Sequence, residues 1–96
     1  MSLKNRQAES DKSSVHEEIR QVIKEHGRLP GDVDSLGVDG DLYEAGMTSH
    51  ASVNVMLALE DHFDLEFPDR MLKRSVFESI DAIACAIGEL RTEAAA

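Results

Sequence analysis

The chain is poor in cysteine, aromatic residues and positive charge. A single cysteine, Cys85, excludes an internal disulfide and fits a reducing compartment. There is no Trp, one Tyr and three Phe, so any core is built from aliphatic side chains. Ten Lys and Arg against nineteen Asp and Glu leave a net charge of −9. That balance repels polyanions and argues against nucleic acid as a partner. No apolar run approaches the roughly 20 residues of a membrane span, so no membrane partner is expected. The opening Met1-Ser2-Leu3-Lys4-Asn5-Arg6 lacks the apolar stretch of a signal peptide. What is present is 96 residues, 42% of them hydrophobic, enough for one small acidic domain expected in the cytoplasm.

Residues 1–12 are polar and unpatterned and read as a disordered lead, residues 13–91 as the domain, and residues 92–96 as a frayed tail. Ser14 and Glu17 stand at capping-box spacing, and Val15, Ile19, Val22, Ile23 and His26 form one stripe. The spacing predicts a helix from about Ser14 to His26, closed by Gly27 as a left-handed cap. From Arg28 to Thr48 no period persists, and Pro30-Gly31, Leu36-Gly37 and Asp39-Gly40 signal turns. Leu29, Val33, Leu36, Val38, Leu42 and Tyr43 are expected to pin this long loop to the core. A second helix is predicted from about Ser49 to Asp64, apolar over a wide arc. Phe67-Pro68-Asp69 breaks the chain, and a short helix capped by Asp69 is expected to reach Arg74. The stripe Ile80, Ile83, Ala84, Ile87 and Leu90 predicts a last helix opening near Ser79.

The fold class is therefore all-α: a four-helix bundle of three main helices and one short one, with a long loop between helices 1 and 2. Its expected core is Val15, Ile19, Val22, Ile23, Leu42, Val53, Met56, Leu57, Leu59, Phe63, Phe67, Phe77, Ile80, Ile83 and Ile87.

Several constellations of residues bear on chemistry. Counted from Asp32, the acidic loop matches a calcium-binding loop at positions one, three and six. It places Leu36 at five and Tyr43 at twelve, where oxygen ligands are needed. His16, His26, His50 and His62 show no i, i+4 pair, and Cys85 has no sulfur partner, so no metal site is expected. Cys85 lies beside the last stripe and is expected to be buried or half-buried. Ser49 and His50 are adjacent, hence about 100° apart on a helix, and do not form a nucleophile–base dyad. No Gly-x-Ser-x-Gly elbow surrounds Ser49. An enzyme is not expected. Ser49 itself reads as a helix N-cap, in a place where the macrodipole and free N–H groups also favour an attached phosphate.

Leu42-Tyr43-Glu44-Ala45-Gly46-Met47-Thr48-Ser49-His50-Ala51-Ser52-Val53 is followed by Met56-Leu57-Ala58-Leu59-Glu60-Asp61-His62-Phe63-Asp64-Leu65-Glu66-Phe67-Pro68-Asp69. Together they resemble the acyl carrier protein family. Its pattern is a loop ending Gly-x-Asp-Ser-Leu, a helix, and an acidic-aromatic-acidic segment closing in an apolar-Pro-Asp turn. The likeness spans about residues 14 to 91. It implies that Ser49 bears 4′-phosphopantetheine through a phosphodiester, placed there by a phosphopantetheinyl transferase. The terminal thiol would hold a substrate as a thioester for delivery to a downstream acceptor enzyme.

Two positions depart from the pattern: Thr48 replaces Asp, and His50 replaces Leu. No acid occurs from Ser49 to Leu59, where fatty-acid carriers place the charges that meet basic patches on their enzymes. A dedicated partner is inferred. The variant resembles bacterial aminoacyl carrier proteins, which are charged with a small amino acid by seryl-tRNA-synthetase-like amino acid:carrier protein ligases. Met47, Thr48, His50 and Val53 would then meet the ligase, and the carrier is expected to be a monomer. A carrier of ordinary acyl or polyketide-type chains, and a helical protein-binding module without a prosthetic group, are the alternative readings.

Overall fold

The computed structural model describes residues 3–95, with side chains described over 14–93. Four α-helices and no strand occur among the described residues: α1 (Leu3–His26), α2 (Ser49–Phe63), α3 (Arg74–Phe77) and α4 (Ile80–Ala95). α1 packs on α2 and α4, and α3 packs on α4. None of the helices is long and apolar enough to cross a membrane.

α1 begins at Leu3 and runs through Ser14, so segment 3–12, expected as a disordered lead, lies in the helix. No glycine or proline interrupts 3–26, and Ser14 therefore occupies a helix interior and caps nothing. At the other end the left-handed residue is Arg28, φ 55°, one position beyond Gly27. Gly27, just past the helix, donates its N–H to the Ile23 carbonyl at 2.7 Å. α4 continues to Ala95, through most of the expected tail, and Ala96 lies outside the described residues. The Ser79 hydroxyl accepts from the Ala82 N–H at 3.0 Å, capping α4 where the sequence placed its start.

The expected short helix from Asp69 to Arg74 is instead a 3₁₀ turn over Asp69–Met71, an extended Lys73, and then α3. Met71 and Phe77 are both buried. Six residues apart on one continuous helix they would point about 120° from each other. The break at Leu72 and Lys73 lets both reach the core.

Ile19, Ile23, Leu42, Leu59, Ile80, Ile83, Ile87 and Val55 are fully buried. Each such side chain contributes about 1.5–3 kcal/mol of burial free energy. Most of the expected core is in place. The correction concerns α2, which buries Ala51, Val55 and Leu59 and leaves Val53 50% and Leu57 53% exposed. Val53 and Val55 lie about 200° apart around the helix, so the stripe Val53–Leu57 faces away from the core. Val15, Met56 and Phe63 are only partly buried. We expect Val55→Ala to cost about 2 kcal/mol and Val53→Ala less than about 0.5 kcal/mol in urea denaturation. Equal losses would mean that α2 is rotated from the position described.

The long loop is held at several points. The Arg20 guanidinium donates from Nη1 to the carbonyls of Val33 and Leu36 at 2.6 and 2.7 Å. The Leu42 N–H donates to Glu78 and the Asp81 N–H to Val38, at 2.7 and 2.8 Å. Val33 and Leu42 are buried, and Leu29, Leu36, Val38 and Tyr43 pack against the core. Lys24 and Asp34 meet at 2.7 Å, a hydrogen bond that raises the lysine pKa, but the pair is at the surface and adds little stability.

Candidate functional site

The loop delivers the chain to α2 through a tight turn. Asp41 accepts at Oδ1 from the N–H groups of Tyr43 and Glu44, at 2.9 and 3.2 Å. Asp32 accepts from the Asp34 N–H at Oδ1, at 3.0 Å, and from the Ser35 hydroxyl at Oδ2, at 3.1 Å. These aspartates of the acidic loop are thus turn formers. Gly46 then adopts φ +119°, and Met47 donates its N–H to the Leu42 carbonyl at 3.0 Å. Met47 is buried, so this residue, expected to face a partner, belongs to the core instead.

The helix cap is Thr48, not Ser49. Thr48 has extended backbone (φ −80°, ψ 165°), and its Oγ1 accepts from the Ala51 N–H at 3.0 Å. Ser49 is the first residue of α2 and is exposed. Its hydroxyl is left without a capping duty. Threonine, like aspartate, ends a short side chain in an oxygen that accepts from a first-turn N–H, and Thr48 caps α2 in this way. Thr48, His50 and Val53 are exposed around Ser49.

Beside Ser49 a groove of about 340 Å³ runs between α2 and α3. Val53, Met56, Leu72 and Phe77 give it an apolar wall, and Lys73 and Arg74 line it with positive charge. The Arg74 guanidinium lies over the Tyr43 ring, 4.3 Å from its centroid. Sequence reasoning passed over Lys73 and Arg74. The available signal was that they are the sole adjacent pair of basic residues in the chain.

The other candidates lie away from this site. His16 contacts Asp81 at 3.2 Å and His62 contacts Glu18 at 2.7 Å, each tying α1 to another helix. Among the described residues no three His, Cys, Asp or Glu side chains gather as a cation site. Cys85 is exposed, contrary to the buried or half-buried place expected. It lies about 200° around α4 from Ile83, off the buried stripe.

The model for the phosphopantetheine attachment site family matches residues 15–85. The chain is 49% identical over 65 residues to an aminoacyl carrier protein of Agrobacterium fabrum, covering 68% of this chain and 78% of that protein. Among solved structures it resembles a chain in the crystal structure of an engineered Bradyrhizobium japonicum glycine:[carrier protein] ligase complexed with a carrier protein from Agrobacterium tumefaciens and ATP. That likeness has a TM-score of 0.76 and 43% identity, over 78% of this chain and 97% of the other. It also resembles a chain in the Bradyrhizobium japonicum ligase complexed with glycylated carrier protein. There the TM-score is 0.64 and the identity 27%, over 76% of this chain and 97% of the other. A helical bundle with an uncommitted serine at the head of α2, matched by the family model across that serine, belongs to the acyl and aminoacyl carrier proteins: this chain is an aminoacyl carrier protein homologue with a phosphopantetheine attachment domain.

Proposed function

We propose that Ser49 is the residue that carries 4′-phosphopantetheine, and that the cargo is a small amino acid, glycine first. The observation that carries this reading is the division of labour at the head of α2. Thr48 holds the cap, and Ser49 is left exposed with its hydroxyl uncommitted. The helix terminus suits the group's phosphodiester, because first-turn N–H groups and the macrodipole favour an anion there. The bound group supplies a thiol on a long arm, where an amino acid is held as a thioester. The chain's own residues position that arm and catalyse nothing.

Glycine is favoured because two of the solved structures this chain resembles are complexes of glycine:[carrier protein] ligases with a carrier protein, one of them glycylated. A ligase of that seryl-tRNA-synthetase-like kind is the proposed charging partner. It would meet Thr48, His50 and Val53, in a part of α2 with no acid in its first turn. A phosphopantetheinyl transferase and a downstream acceptor enzyme complete the partners, and the carrier acts as a cytoplasmic monomer.

The test is intact mass in two stages. Incubation with coenzyme A and a broad-specificity transferase is expected to add one phosphopantetheine. Glycine, ATP and a glycine:[carrier protein] ligase are then expected to add one glycyl group, which hydroxylamine removes. Failure of the first stage with several transferases would sink the attachment reading. Success there, followed by charging with fatty acyl groups and not with amino acids, would sink the cargo.

A further inference from the structure

We infer that Asp41 is a positioning residue for the modification of the serine: its carboxylate shapes the turn that fixes where the Ser49 hydroxyl stands when a transferase reaches it. The inference rests on Ser49 being the attachment residue.

From Leu42 to Met47 every backbone N–H has an acceptor within the chain, and three of these six donate to Asp41. Tyr43 and Glu44 share its Oδ1, at 2.9 and 3.2 Å, and Ala45 donates to its carbonyl at 3.0 Å. The other three run from Leu42 to the Glu78 carbonyl, from Gly46 to Tyr43 and from Met47 to Leu42, at 2.7, 3.1 and 3.0 Å. Leu42 and Met47 are buried, so the turn is fastened to the core at both ends. Thr48 and Ser49 follow at once, and a displacement inside the turn passes straight to the serine.

The carboxylate is committed to this turn. Among the described residues Asp41 forms no ion pair, and both its side-chain hydrogen bonds come from backbone N–H groups. A charged acceptor makes such bonds stronger than a neutral one does. The turn needs a hold of this kind because Gly46 stands at φ +119°, and glycine by itself selects no single backbone conformation.

Loss of the carboxylate leaves the anchors Leu42 and Met47 in place, and the N–H of exposed Glu44 can turn to water. What changes is the placement of the serine. In the transfer the Ser49 Oγ bonds to the pantetheine-side phosphorus of coenzyme A, adenosine bisphosphate leaves from that phosphorus, and the hydroxyl proton goes to a base on the transferase. Such a step needs the oxygen in line with the phosphorus, and a misplacement of about 1 Å costs about a hundredfold.

The same loop supplies the control. Asp32 folds a similar turn by accepting from the Asp34 N–H and the Ser35 hydroxyl. Arg20 then fastens the loop at Val33 and Leu36, which isolates that turn from Ser49.

The experiment measures kcat and KM for phosphopantetheine transfer, by intact mass, on the parent and four variants held below their melting transitions. Asp41→Asn keeps an acceptor oxygen in place and loses the charge, whereas Asp41→Glu keeps the charge and moves the oxygen. Asp41→Ala and Asp41→Glu are expected to lower kcat about tenfold or more with KM within about twofold, and Asp41→Asn to stay within about threefold of the parent. Asp32→Ala is expected to match the parent. Amide resonances from Met47 to Ala51 should move in Asp41→Ala and Asp41→Glu and stay in place in Asp32→Ala. Rescue by Asp41→Glu and not by Asp41→Asn overturns the inference, since the charge and not the turn would then matter; this pair decides even where Asp41→Ala does not fold. Equal slowing in Asp32→Ala overturns it as well. Parent kinetics in Asp41→Ala overturn it while leaving Ser49 as the attachment site. Absence of any mass gain in the parent overturns both readings.

Discussion

Ser49→Ala is expected to abolish the mass gain from coenzyme A completely while leaving stability within about 0.5 kcal/mol of the parent, as for a surface change that breaks no structural bond. Thr48 keeps the two effects apart. Its Oγ1 accepts from Ala51 at 3.0 Å, so the cap survives when Ser49 loses its hydroxyl. Thr48→Ala should do the converse. It removes the cap and costs about 1 kcal/mol, within the usual range for loss of an N-cap side chain, but leaves a serine for the transferase. Urea denaturation and intact mass on the two variants separate the duties of neighbouring residues. Ser52 is the alternative nucleophile, since it lines the same groove three residues on. Its Oγ donates to the Ser49 carbonyl at 2.7 Å, whereas the Ser49 hydroxyl has no such engagement. Persistence of the mass gain in Ser49→Ala would move the attachment to another residue and sink the present assignment.

How much of this was legible in the sequence varies by element. α1 and α4 read clearly because each has one apolar stripe and a polar remainder, which sets both the helix and its buried face. α2 read as a helix but not in phase. It is apolar at Val53 and Leu57 as well as at Val55 and Leu59, and a period of 3.6 residues cannot tell which of two opposed stripes faces inward. Only the packing on α1 decides that Val55 goes in. The capping box at Ser14 misled because capping residues signal a boundary only where the helix stops, and nothing from Leu3 onward stops it. Ser49 was found by pattern, but its freedom from capping was not, because Ser and Thr at successive positions are equally good caps until the backbone angles assign one. Lys73 and Arg74 were passed over for a different reason. Their relation to Ser49 spans more than twenty positions and exists only once Leu72 and Lys73 leave helical geometry to let Met71 and Phe77 reach the core.

Gly46→Ala is expected to be the most damaging single methyl in the loop. At φ +119° an L side chain is strained whatever the space around it, and the added Cβ would stand 2.6 Å from Pro30 Cδ and 3.1 Å from its Cγ. Neither atom belongs to a flexible chain end, since the ring is locked to the backbone. Strain in the backbone and overpacking each cost about 1–3 kcal/mol, so a loss of about 2–6 kcal/mol is expected, or a fall in Tm of about 10–45 °C for a domain of this size. Any relief must come from moving the turn, and the turn is continuous with the site. Ala45 and Met47 donate to Asp41 and Leu42 at 3.0 Å on either side of Gly46, and Thr48 and Ser49 follow directly. A shift large enough to clear Pro30 therefore displaces the serine, and transfer of phosphopantetheine should slow even where the variant remains folded. Gly31→Ala is the matched comparison. It carries no positive φ, and nothing lies within 4 Å of the added Cβ. There the methyl only restricts the unfolded chain, and stability should stay level or rise by about 0.4–1 kcal/mol. Thermal denaturation of both variants, with transfer rates measured below their transitions, checks the pair. A Gly46→Ala protein that melts with the parent would show that the contact between Gly46 and Pro30 does not set the position from which Ser49 is presented.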